Sequence, residues 1–249
     1  MNTSSSTKPR HSRFFYSAAS LALLLLTVIG FRLFYMNMEA FPGRPLTPPI
    51  RTILIVHAVL MTAWMLLSVV QPLLVASGRK RVHMTLGLFG TALAAAIVVT
   101  GCLLAVNAAR VNPPDLKVFG LTPKEFLTVP LSSIVAFGAF VLVGISYRRR
   151  PEVHRPMMFM ASIAIVSAAL GRMPALNDWY AGTWMEAWFS AFLTTLLLGA
   201  VFFGIKCLLE GRMDRWFASA LGAHAVICVG SSLIAKTDAW VQFATILLQ

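Results

Sequence analysis

His57-AVLMTAWMLLSVVQPLLVASGRKRVHMTL-Gly87 decides how this chain folds. Its first part is an apolar run of the roughly 20 residues that a helix needs to cross ~30 Å of hydrocarbon. The basic turn SGRKRV follows, and a second apolar run opens at His83, so the stretch reads as a helical hairpin. Down the first helix, His57, Met61, Trp64, Ser68 and Gln71 fall at offsets that share one face. A histidine and a glutamine therefore lie on one stripe of a lipid-compatible segment, with His83 and Gly87 beginning the next.

The rest of the chain repeats this character. Hydrophobic residues make up 58% and charged residues 12%, whereas soluble domains carry about 25% charged residues. Apolar stretches at about 14–36, 52–76, 84–109, 127–147, 156–176, 185–207 and 217–238 predict seven crossings. The expected fold is all-α: a polytopic membrane protein with a single seven-helix transmembrane bundle over 14–249, preceded by a disordered basic segment at 1–13. LALLLLTVIG resembles a signal-peptide core, but FRLFYMNMEAF supplies no small-residue cleavage site, so it reads as a retained anchor.

The net charge of +12 is concentrated by position. Lys8, Arg10 and Arg13, then Arg79, Lys80 and Arg81, then Arg148, Arg149, Arg150 and Arg155, then Lys206, Arg212 and Arg215 all fall on one side if the crossings alternate. Short loops dense in Lys and Arg face the cytoplasm. This predicts a cytoplasmic N-terminus, an outside C-terminus and a place in the bacterial cytoplasmic (inner) membrane. The basic loops would meet anionic lipids; no nucleic-acid binding is expected. Cys102, Cys207 and Cys228 stand alone within helices, and no CxxC spacing signals a thiolate site.

Local features refine the layout. EAFPGRPLTPPI, with its prolines and glycine, reads as an extended connector, and TPKE as a capped helix start. Gly87, Gly90, Ala94 and Gly101 let the third apolar helix approach its neighbours closely. The fifth helix is expected to start at Pro156. The aromatic turn GRMPALNDWYAGTWMEAW suits a membrane interface. The tail TDAWVQFATILLQ either prolongs the seventh helix or lies along the outer interface.

The chemistry must come from few residues. All nine acidic residues lie in loops or at helix ends, so no carboxylate relay supports coupled transport. His83 and His154 each follow a basic run at the inner edge, a common depth that would suit two axial ligands of one haem. His57 lies about 9 Å below the outer surface and has no histidine at its level. A second cluster would join His57, Asn107 and Arg172, with Asp178 or Glu186 as counter-charge, in a polar pocket open to the outside. Lys236 lacks the buried carboxylate that a retinal Schiff base needs. Nucleotide and hydrolase motifs are missing.

The hairpin from His57 to Gly87 resembles an uncharacterised group of bacterial multi-pass membrane proteins. There a His-x6-Trp-x6-Gln helix leads through a basic turn to a histidine and a glycine. Arg150-PEVHRPMMFMASIAIVSAALG-Arg172 and the terminal TDAW extend the likeness. It implies seven helices and points to His57, Trp64, Gln71, His83, His154, Arg155 and Arg172, but supplies no reaction. The leading expectation is a small lipophilic or anionic ligand among the second, third and fifth helices, with His57, Trp64, Gln71, Asn107 and Arg172 at the site. The alternatives are a haem-binding redox subunit using His83 and His154, and a non-catalytic accessory subunit of a larger complex. Partner subunits or a homo-oligomer fit the last of these.

Overall fold

The computed structural model describes residues 14–249; the segment expected to be disordered, 1–13, lies outside them. The described chain is helical: α1 Phe15–Gly30, α2 Arg32–Asn37, α3 Arg51–Ala76, α4 Lys80–Val111, α5 Pro123–Phe126, α6 Thr128–Ser146, α7 Pro151–Leu170, α8 Pro174–Asn177, α9 Trp184–Phe189, α10 Leu193–Glu210, α11 Arg215–Ile234 and α12 Asp238–Leu247. Among the described residues, six helical segments are long and apolar enough to cross a membrane: Arg51–Ala76, Lys80–Val111, Pro123–Ser146, Pro151–Leu170, Trp184–Glu210 and Arg215–Ile234. The first apolar stretch is the shorter helix α1, because the helix breaks at Phe31 before resuming as α2.

The bundle is organised around α7. In its most apolar window 78% of residues are buried, against 11% for α3. It packs against α1, α6, α10 and α11, and more lightly against α3. Its Met160, Ala161, Ile163, Ala164 and Ala169 are fully enclosed. The peripheral helices turn large apolar side chains outward, among them Val59, Leu66, Leu88, Phe89, Leu142 and Val226. In water so much exposed apolar surface would drive association. In lipid it costs nothing.

Small residues set the closest approaches. At Gly90 an added Cβ would stand 2.8 Å from Leu67 of α3, and at Gly101 it would stand 2.9 Å from Ile134 of α6. The tightest approach lies elsewhere: a Cβ on Gly30 would fall 2.3 Å from the Ala169 carbonyl oxygen.

Several boundaries differ from the sequence expectation. The fifth long helix begins at Pro151 rather than Pro156. Pro151 takes the first helical position, where its missing N–H has no intrahelical role, while Pro156 sits inside the helix near its start. The connector after α2 is not wholly extended. It forms a two-stranded antiparallel turn, β1 Glu39–Ala40 against β2 Arg44–Pro45. The sixth apolar stretch is interrupted at Ser190, whose φ of 47° ends α9 before a short 3-10 turn leads into α10. The tail does not continue α11. Thr237 caps a separate α12 by accepting the Trp240 N–H, and α12 folds against α5. Arg110 and Lys124 hold it by bonding to Leu247 and Leu248 carbonyls and to Thr245. The expected capped start is present at α5: Glu125 Oε2 accepts from the Thr122 N–H at 2.7 Å and from its hydroxyl at 2.8 Å.

Candidate functional site

The imidazoles of His83 and His154 meet. Their ring centroids are 6.3 Å apart with planes at 83°. This contact puts the Arg79–Arg81 and Arg148–Arg150 turns at one end of the bundle. Both rings are half-buried, and the Arg155 charge acts on each.

Each ring is fixed through Nδ1. His154 donates Nδ1–H to the Gly144 carbonyl at 2.7 Å. That carbonyl is in the last turn of α6, where intrahelical partners run out. Because a carbonyl only accepts, the His154 proton sits on Nδ1 and its Nε2 is a lone pair. Gly144 also lets the helices close up: a Cβ there would stand 2.7 Å from Met158 Sδ of α7.

His83 is held by Gln71 across the α3–α4 hairpin. With the amide oriented by its partners, Oε1 accepts from the Gly87 N–H at 3.0 Å, and Nε2 donates to the His83 carbonyl at 3.2 Å and to His83 Nδ1. An Nδ1 that accepts leaves the proton on Nε2. Assigned from these partners, the tautomers differ: His83 carries its proton on Nε2 and His154 on Nδ1.

Replacing Gln71 with leucine removes the group that selects the His83 tautomer. Nitrogen-15 NMR of histidine-labelled protein should show His83 moving from the Nε2–H form to a mixture, with His154 unchanged. Losing this interhelical bond costs about 0.5–2 kcal/mol, a melting temperature lower by a few degrees.

The other predicted residues go elsewhere. His57 Nδ1 bonds to Thr100 Oγ1 of α4 at 2.9 Å. Trp64 is 3% exposed, donates Nε1–H to Ser162 of α7 at 3.1 Å and stands edge-on to Phe137 at 4.8 Å. Asn107 bonds back to the Leu103 carbonyl of its own helix. Arg172 donates to the Ala168 carbonyl and lies over the Phe31 ring at 4.5 Å. Among the described residues no ion pair joins Arg172 to Asp178 or Glu186. His57, Trp64, Asn107 and Arg172 thus each have a protein partner, while Gln71, expected beside them, belongs to the histidine pair.

Lys206, counted in the sequence only as part of a basic side, is buried at 5% exposure. It pairs with Glu210 at 2.7 Å and Asp214 at 3.1 Å, beneath the Tyr16 ring. Asp214 also caps α11 by accepting from the Trp216 and Phe217 N–H groups. This cluster ties α10, α11 and α1 together at the turn between α10 and α11. No group of three or more His, Cys, Asp or Glu side chains suited to a metal ion occurs among the described residues. Compared with protein-family models, curated proteins and solved structures, the chain matches none, so the likeness carried by the hairpin rests on its motifs alone.

Proposed function

We propose that this chain is an inner-membrane protein of seven crossings, and that it binds a small lipophilic ligand bearing a polar oxygen between His83 and His154, among α3, α4 and α7. The basic turns would face the cytoplasm by the positive-inside rule. The seventh crossing would be α1 continued by α2, since α1 packs along α3 and α7 inside the bundle. What supports the binding reading is the contact of two imidazoles whose Nδ1 atoms are each engaged by the protein, at the Gly144 carbonyl and the Gln71 amide. A donor and an acceptor at one place suit a ligand oxygen in either of two forms, a carbonyl accepting from His83 or a hydroxyl donating to His154, as found in quinones and hydroquinones respectively. Apolar walls with few convergent polar groups are the usual form of such sites.

The test is binding of menadione to the detergent-purified protein. His83→Phe and His154→Phe should each weaken binding at least tenfold while the fold is retained. Equal binding by both variants and the parent would overturn the reading.

A second reading, haem held by the same two histidines, is favoured by the ring separation. Two Fe–N bonds of about 2 Å and half a ring on each side span a similar distance, and two protein donors are what a porphyrin leaves to be filled. His154 already donates Nδ1–H to a carbonyl, the bond that commonly orients a metal-bound imidazole. His83 would need its Gln71 amide turned over, so that Oε1 accepts from Nδ1–H. Arg155 and the neighbouring turns would meet the haem carboxylates. A Soret band in the purified protein, lost in His83→Ala, would select this reading over the first. A protein that remains colourless after haem titration would remove it.

A further inference from the structure

At the end of the bundle opposite the histidines, a cavity of about 130 Å³ is lined by Phe119, Gly120, Thr183, Glu186, Ser190, Ser232 and Lys236, among others. From this cavity we infer a second binding site, for a small zwitterion whose ammonium meets Glu186 and whose phosphate or carboxylate meets Lys236, with Ser190 hydrogen-bonding between them.

Ser190 is the strongest sign. It is 2% exposed, lines the cavity, and its hydroxyl has no hydrogen-bond partner. An unmatched buried hydroxyl is destabilising, and a ligand oxygen that reached it would relieve that cost. Its backbone is held at φ 47°, and Phe119, across the cavity, sits at φ 51°. Non-glycine residues in this region are strained, and such strain gathers at binding sites. The Tyr180 hydroxyl reaches the Ser190 carbonyl at 3.1 Å, sharing its one proton with Asn177 Oδ1 at 3.0 Å. Burial, with Glu186 nearby, pushes the Tyr180 phenol up to about 12, so it remains a donor throughout the physiological range.

The charges are arranged for a ligand rather than for each other. Glu186 and Lys236 both line the cavity, yet among the described residues no ion pair joins them. Glu186 Oε2 is fixed by the Gly182 N–H at 2.6 Å, which holds the carboxylate at the rim. The volume is well below the ~300 Å³ at which drug-sized pockets begin. It suits a headgroup-sized fragment.

Ethanolamine phosphate carries the required chemistry and comes in two forms, free in solution or as a lipid headgroup. The full-length protein in detergent is titrated with O-phosphoethanolamine, and separately examined by native mass spectrometry with phosphatidylethanolamine. Inorganic phosphate and phosphatidylcholine, whose quaternary nitrogen cannot donate to Glu186, serve as comparisons. Lys236→Gln and Glu186→Gln should each weaken binding at least tenfold. Ser190→Gly should weaken it several-fold while holding or raising the melting temperature, because glycine accepts the φ that strains serine. Binding of the soluble probe identifies a free zwitterion, and retention of the lipid alone identifies a headgroup site. Failure of both probes, or binding indifferent to Lys236 and Glu186, overturns the inference. The histidine site at the other end is untouched by either result.

Discussion

Gly30→Ala should lower the melting temperature of the detergent-solubilised protein by roughly 6–12 °C, whereas Gly204→Ala should leave it level or raise it slightly. The chemical change is the same, one methyl group on a helical glycine. At Gly30 the new Cβ would lie 2.3 Å from the Ala169 oxygen, 2.7 Å from its carbonyl carbon and 2.8 Å from its Cα. All three are backbone atoms of α7, so no rotamer change can relieve the clash; α1 must move off the central helix. Overpacking of this kind costs about 3 kcal/mol or more when side chains cannot yield. At Gly204 a Cβ meets nothing within 4 Å, and the gain in helix propensity is about 1 kcal/mol. Differential scanning fluorimetry of the two variants beside the parent measures the difference. Equal melting temperatures would mean that α1 does not dock on α7 at Gly30, and the case for a seventh crossing would weaken with it.

What the sequence revealed and what it hid follow from how each feature is encoded. The long helices were legible because lipid exposure demands unbroken apolar runs, and α3 and α4 end within a few residues of where their runs end. The His83–His154 contact was legible as a shared depth, since alternating crossings return both basic turns to one end. The group that fixes the His154 ring was not, because it is the Gly144 backbone carbonyl and side-chain identity does not announce it. Gln71 was placed on the right stripe, but its reach to His83 and Gly87 depends on how the hairpin closes. Of the expected cluster, depth gave a common level for His57, Asn107 and Arg172, but not the partners each one finds. Helical phase and local carbonyls supply those, with Asn107 and Arg172 bonding one turn back along their own segments. The second cavity was invisible for a different reason. It is assembled from three separate connections and one strained serine, and no periodicity encodes a positive φ at a non-glycine residue.

The hairpin's tryptophan offers the second large effect, and it separates anchoring from ligand contact. Trp64→Ala should destabilise the protein by about 3–5 kcal/mol, the usual result of emptying an aromatic site in a packed core. With Met65, Trp64 carries α3 into the interior: it lies edge-on to Phe137 of α6 at 4.8 Å and reaches Ser162 of α7 at 3.1 Å. Trp64→Phe keeps an aromatic ring there and gives up the hydrogen bond, so its cost should fall to about 0.5–2 kcal/mol. The Ser162→Ala background makes the test specific. Ser162 is fully buried, and once its hydroxyl is gone the indole N–H has nothing to donate to, so Trp64→Phe should cost almost nothing further. Thermal unfolding of the four proteins of this cycle measures the coupling directly. A Trp64→Phe penalty undiminished by Ser162→Ala would mean that the indole nitrogen serves something other than Ser162. The anchoring role would then give way to a ligand role for the tryptophan stripe.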